Sequence, residues 1–169
     1  MRAILLAFLL IPFLCTAQHV RIIPGIGYSG VLGDSKSRMD YAYSLGVGIA
    51  DSLTHRISGE VSLSYVHSSF RQDVDGHGHK ETTMIGSTNA TGLAIWRTNA
   101  DEHSTVLAIG LFGSRVITDV KHPWGYGPVA GVGIAWPTGR LLIEVQSNIE
   151  RFGTGRDILG LATLGINIF

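Results

Sequence analysis

The chain has little of several things, and each shortage excludes something. Its one cysteine, Cys15, lies inside the N-terminal stretch read below as an export signal, so the mature protein cannot form a disulfide. Charged residues make up only 15% of the 169 positions, against roughly a quarter in an ordinary soluble domain. That scarcity points to a surface facing lipid. The 13 basic side chains are matched by 13 acidic ones, leaving no surplus to hold a phosphate backbone, so a nucleic-acid partner is not expected. The apolar run from Ile4 to Leu14 is eleven residues long, interrupted only by Pro12, and falls short of the ~20 residues of a membrane-crossing helix. Walker-type glycine loops and dinucleotide fingerprints are missing too. Gly25-Ile26-Gly27 and Gly131-Val132-Gly133 read instead as strand glycines.

Glycine itself is plentiful, at 22 of 169 residues, without the third-residue period of collagen. Each glycine inside a helix costs ~1 kcal/mol relative to alanine. Long helices are therefore not expected.

Met1-Arg2, the apolar run Ile4 to Leu14, and the small-residue group Cys15-Thr16-Ala17 have the layout of a secretory signal. Residues 1–17 are read as that signal and residues 18–169 as the mature domain. A lipid-modified Cys15 is the alternative, but Leu14 stands where a lipoprotein signal has a small residue. Taking 17 residues from 169 leaves 152, with 12 basic and 13 acidic groups and no thiol.

The mature sequence alternates with a period of two. From Tyr41 to Ala50 the odd positions are Tyr, Tyr, Leu, Val and Ile, while the even ones are Ala, Ser, Gly, Gly and Ala. Ile57, Val61, Leu63 and Tyr65 oppose Arg56, Ser58, Glu60, Ser62 and Ser64 in the same way, and Leu141, Ile143 and Val145 oppose Leu142, Glu144, Gln146, Asn148 and Glu150. No helical face places carboxylates between aliphatics at this spacing. Weaker alternation marks residues 20–31, 105–116, 125–136 and 158–169, and a less regular eighth strand falls within 82–96.

The connectors alternate as well. Asp51 to Thr54 and Pro137 to Arg140 are short turns and Arg97 to Ser104 is of medium length, whereas 32–39, 68–81, 117–124 and 151–157 are generally longer and richer in charge, Gly or His. Eight strands in 152 residues allow 19 residues for each strand and connector, room for the ~9–11 residues with which a tilted strand crosses a bilayer.

The small and polar set includes Gly25, Gly27, Gly46, Gly48, Gly131 and Gly133, which suit the cramped interior of an eight-stranded barrel. The aliphatic set must then face outward. In hydrocarbon every backbone amide needs an internal partner, and a sheet provides one only by closing on itself. All five tyrosines, Tyr28, Tyr41, Tyr43, Tyr65 and Tyr126, fall on the aliphatic parity toward the long connections, while Trp96 and Trp136 close their strands at the short turns. Two interfacial girdles are expected. The fold class is therefore an all-β, eight-stranded antiparallel up-and-down transmembrane β-barrel.

On the export signal, the alternating strands and the closing segment Leu161-Ala162-Thr163-Leu164-Gly165-Ile166-Asn167-Ile168-Phe169, residues 18–169 resemble the small eight-stranded outer-membrane barrel proteins. That group includes OmpA-type transmembrane domains, OmpX and the outer-membrane barrel family abundant in Bacteroidetes. Phe169 departs from it by lying out of phase with Leu164, Ile166 and Ile168. The resemblance implies residence in the outer membrane of a Gram-negative bacterium. It also implies contact with outer-membrane lipids and lipopolysaccharide, delivery by the outer-membrane assembly machinery, and outer loops open to an extracellular ligand.

The interior parity carries Arg21, Arg56, Glu60, Glu144, Gln146, Asn148 and Glu150. Unpaired charge in a confined lumen is costly, so these residues are expected to form an Arg/Glu network that plugs the tube. A proton path or small-solute pore is the alternative. His77-Gly78-His79 offers imidazoles beside Asp73, Asp75 and Glu81, but nothing in the spacing enforces a zinc tetrahedron, and no metal or cofactor site is assigned.

Some barrels of the resembling group deacylate lipid A with a His and a Ser two residues apart. Ser147-Asn148 sits at a comparable place, but Val145 stands where the base would be. His67 and Ser69 have the required spacing on another strand, without an evident orienting carboxylate. No catalytic residue is assigned, and a noncatalytic structural or surface-interaction role is expected.

Overall fold

In the computed structural model the described residues are 19–32, 37–73, 80–99, 103–117, 124–147 and 156–167. Residues 1–17, expected to be an export signal, the segment His77-Gly78-His79, Asn148, Glu150 and Phe169 lie outside them. Eight strands follow in chain order: β1 His19–Leu32, β2 Ser37–Ser52, β3 Ile57–Asp73, β4 Lys80–Arg97, β5 Ser104–Val116, β6 Trp124–Trp136, β7 Gly139–Ser147 and β8 Arg156–Asn167. Each pairs antiparallel with the next, and β1 also pairs with β8. The sheet is a closed barrel without a free edge, which gives its backbone amides partners within the sheet.

The two-residue period sets which side chains go in. Tyr41, Tyr43, Leu45 and Val47 are exposed, whereas Ala42, Ser44, Gly46 and Gly48 between them are buried. In β7, Leu141, Ile143 and Val145 are exposed while Leu142, Glu144 and Gln146 are buried. This inverts the arrangement of a soluble barrel. Leu45 is 61% exposed and Ile143 58%, while Glu60 keeps 2% and Glu144 6%. Val61 is half-buried.

Interior glycine lets neighbouring strands coil closely. A Cβ on Gly27 would stand 1.7 Å from the carbonyl oxygen of Gly160, so β1 meets β8 at a distance no other residue permits. Gly133 approaches the Leu141 carbonyl in the same way, with 1.9 Å left for a Cβ.

The aromatic residues fall into two bands. Tyr28, Tyr41, Tyr43, Tyr65 and Tyr126 are all exposed toward the long connections. Trp124 joins them at the start of β6, with the Arg115 guanidinium 5.4 Å from its ring centroid. Trp96 and Trp136 lie at the short-turn rim, Trp96 exposed and Trp136 half-buried.

The structure corrects four expectations. First, β3 and β4 run on to Asp73 and Lys80, so most of the long connector expected over 68–81 is hairpin. The ladder continues past the last residues of the hydrophobic alternation, so a period of two does not mark its end. Second, β7 begins at Gly139, which moves Arg140 out of the turn and into the lumen. Third, Arg56 is exposed on the β2–β3 turn rather than inside. Thr54 fixes that turn: the backbone amides of Arg56 and Ile57 donate to its hydroxyl at 3.3 and 3.0 Å.

Fourth, the interior is not merely glycine and polar groups. Leu93, Ile95, Val106, Phe112, Val129 and Leu142 belong to one buried apolar cluster, and Ala42, Val66, Leu159 and Leu161 form another. A narrow barrel has to fill its inside with side chains, and close packing rewards aliphatic groups there as well as polar ones.

Candidate functional site: an ion cluster across the lumen

β1 sends Arg21 inward, β3 sends Glu60, and β7 sends both Arg140 and Glu144. Arg140 Nη1 donates to Glu60 Oε2 at 2.7 Å, and Arg140 Nη2 donates to Glu60 Oε1. The pair is bidentate, the geometry in which the arginine fork matches a carboxylate. Arg21 Nη1 also donates to Glu60 Oε2, at 3.5 Å. One carboxylate thus draws two guanidinium groups from different strands. Glu144 faces the same space, so deep in the lumen two cations, Arg21 and Arg140, stand against two carboxylates, Glu60 and Glu144.

Amides extend the cluster toward the middle of the barrel. Asn89 Nδ2 donates to Gln146 Oε1 at 3.4 Å, and Ser87 Oγ donates to Asn89 Oδ1 at 3.3 Å. Between these groups lies a cavity of about 20 Å³ bordered by Glu60, Arg140, Glu144, Gln146 and Thr163. A single water needs about 10–15 Å³ on this measure, so the gap suits one water and not a file of them.

Of the residues expected in the lumen, the structure brings together Arg21, Glu60, Glu144 and Gln146. It adds Arg140 and Asn89, both 2% exposed, which the sequence reading missed. Arg140 shares the even parity of Leu142, Glu144 and Gln146, and that was its available signal. The preceding Pro137-Thr138-Gly139 masked it by reading as a turn.

At the other end of the barrel, β2 carries a bulge opposite β3, where Asp40 and Tyr41 face Ser69. Ser69 is fully buried and its hydroxyl donates to Asp40 Oδ2 at 3.2 Å, while its carbonyl accepts from Ser29 Oγ at 3.1 Å. His67 lies on the outward parity and stacks on Tyr43, with ring centroids 4.8 Å apart and planes inclined by 18°. A hydroxyl has one proton to donate, and here the carboxylate receives it rather than the imidazole. His67 and Ser69 are thus close in sequence but differently employed. Val145 is exposed, and Ser147, half-buried, ends β7. Among the described residues no three of His, Cys, Asp or Glu gather as a metal-ligand group.

The chain thus has the fold of a small eight-stranded closed antiparallel barrel. Among solved structures it is similar to the outer membrane protein OprG from Pseudomonas aeruginosa, with a TM-score of 0.53 at 10% identity, over 90% of this chain and 95% of that one. It is also similar to Ail, the attachment invasion locus protein of Yersinia pestis, with a TM-score of 0.51 at 12% identity, over 89% of this chain and 98% of that one. Identity this low speaks for the fold alone. No protein-family model and no curated protein sequence matches the chain.

Proposed function

We propose that the protein is a noncatalytic integral barrel of a Gram-negative outer membrane, with a structural or surface-interaction role. In this reading residues 1–17 are removed on export, the assembly machinery inserts the barrel, and lipopolysaccharide and phospholipid surround it. The connections at the tyrosine end then face outward, where an extracellular ligand meets them. The observation that carries the reading is the inverted polarity: exposed Leu45 and Ile143 beside buried Glu60 and Glu144. In water those apolar faces would aggregate, whereas in a bilayer they are solvated by acyl chains. A place in the Bacteroidetes-type barrel family belongs to the same proposal and rests on the sequence resemblance.

The lumen is proposed to be closed to solutes. The Arg21–Glu60–Arg140 contacts reach across it, and apolar side chains fill much of the remaining cross-section. The noncatalytic reading is supported by Ser69, whose buried hydroxyl donates to Asp40 rather than to the His67 imidazole that a Ser–His pair would use.

Cell fractionation with heat-modifiable gel migration tests the location: the folded chain is expected in the outer-membrane fraction, migrating differently before and after boiling. Recovery in the soluble periplasmic fraction without detergent would overturn it. Planar bilayers are expected to stay silent at moderate voltage, and discrete conductance steps would favour a pore instead.

A further inference from the structure

At the short-turn rim, one step beyond the Ile57–Trp96 register pair, Arg56 and Arg97 stand opposite each other across β3 and β4, and the Arg97 amide donates to the Arg56 carbonyl at 2.7 Å. Like charges directly opposite on paired strands repel. Neither guanidinium forms an ion pair with a carboxylate among the described residues. The deeper arginines, by contrast, are provided for by Glu60. A pair of like charges with no carboxylate partner among the described residues is a place where an anion would relieve repulsion.

The surroundings have the shape for one. A concavity of about 650 Å³ is bordered by both arginines together with Thr54, His55, Ser58 and Ile57. Its donors are guanidinium forks, hydroxyls and an imidazole, the chemistry that suits phosphate oxygens. Beside it on the outer wall runs a groove of about 450 Å³ bordered by Ile57, Ala94, Trp96, Leu107 and Ile109. Ile57 borders both spaces, so the cationic hollow and the apolar groove adjoin at that residue. Trp96 marks the interfacial level, where a headgroup gives way to chains.

We propose that this rim binds one phosphate-bearing membrane lipid, its phosphate held by Arg56 and Arg97 and an acyl chain lying in the groove between Ile57 and Trp96. The proposal rests on the barrel being membrane-embedded. The occupant is a lipid rather than a free anion because the hollow adjoins an apolar groove at Ile57, which inorganic phosphate would leave unfilled.

The test uses the full chain folded in detergent micelles and in vesicles, with heat-modifiable migration confirming the fold of every variant. Native mass spectrometry compares retention of phosphatidylglycerol with that of diacylglycerol bearing the same chains, with inorganic phosphate as competitor. The wild type is expected to hold one phosphatidylglycerol at least tenfold better than diacylglycerol. Arg56→Gln with Arg97→Gln should remove that preference, and Ala94→Trp, which fills the groove, should weaken retention while both arginines remain. Equal retention by wild type and the double variant overturns the proposal. So does displacement of the lipid by millimolar phosphate, which would mark a free-anion site. A chain that fails to enter vesicles at all overturns the membrane reading beneath it, and the two failures are thereby distinct.

Discussion

Glu60 and Arg140, 80 residues apart in the chain, close a bidentate pair across the lumen between β3 and β7, strands that are not neighbours in the sheet. The contact ties opposite walls together, and both side chains are almost fully buried. A buried pair of this kind offsets its own desolvation, but losing one partner strands the other.

Arg140→Met should therefore destabilise the barrel by about 3–5 kcal/mol, the usual cost of leaving one buried charge unpaired. Reversible urea unfolding in lipid vesicles measures it. Glu60→Gln combined with Arg140→Met should cost clearly less than the two single changes added together. Additive losses would mean that the two side chains do not act as a pair.

The outward face gives a second expectation. If the barrel is embedded as proposed, Leu45→Arg or Ile143→Arg puts a guanidinium into hydrocarbon, and near the bilayer midplane this costs about 2–4 kcal/mol. On a water-exposed surface either change would be nearly neutral. Unfolding in vesicles compared with micelles discriminates, and no loss in vesicles would contradict the lipid-facing assignment.

Gly27→Ala is expected to be poorly tolerated, because its Cβ would overlap the Gly160 carbonyl and force β1 away from β8. Overpacking costs typically about 1–3 kcal/mol. Gly113→Ala, whose Cβ would meet nothing within 4 Å, serves as the control and should change stability little. Similar midpoints for the two would mean that the close β1–β8 approach does not constrain the barrel.

Ser69→Ala and His67→Ala should leave the acylation of lipid A unchanged in a strain carrying the gene on a plasmid. Mass spectra of extracted lipid A check this. Loss of an acyl chain that depends on either residue would revive the hydrolase reading and displace the noncatalytic one.

Much of the barrel was legible before any coordinates. The alternation through Tyr41–Ala50 and Leu141–Glu144 fixes which side chains share a face, since a strand turns successive residues to opposite sides. The aromatic parity and the succession of short and long connectors carried the topology. What misled was local: Pro137-Thr138-Gly139 hid the inward parity of Arg140, and Arg56, apparently in phase with Glu60, turned out to sit on the turn. Element boundaries depend on pairing partners far away, and no local period records them.

The sequence by itself determined the two-sided character of each strand, because a period of two is a property of the backbone. It determined as well that stability has to be found without an internal disulfide, because Cys15 is the one cysteine of the sequence. Only the tertiary structure decided which inward groups meet. Closing the sheet brought Arg21, Glu60 and Arg140 together from three separate strands and set Arg56 opposite Arg97 at the rim. Those encounters depend on register and closure around the whole barrel, and neither is encoded in any single strand.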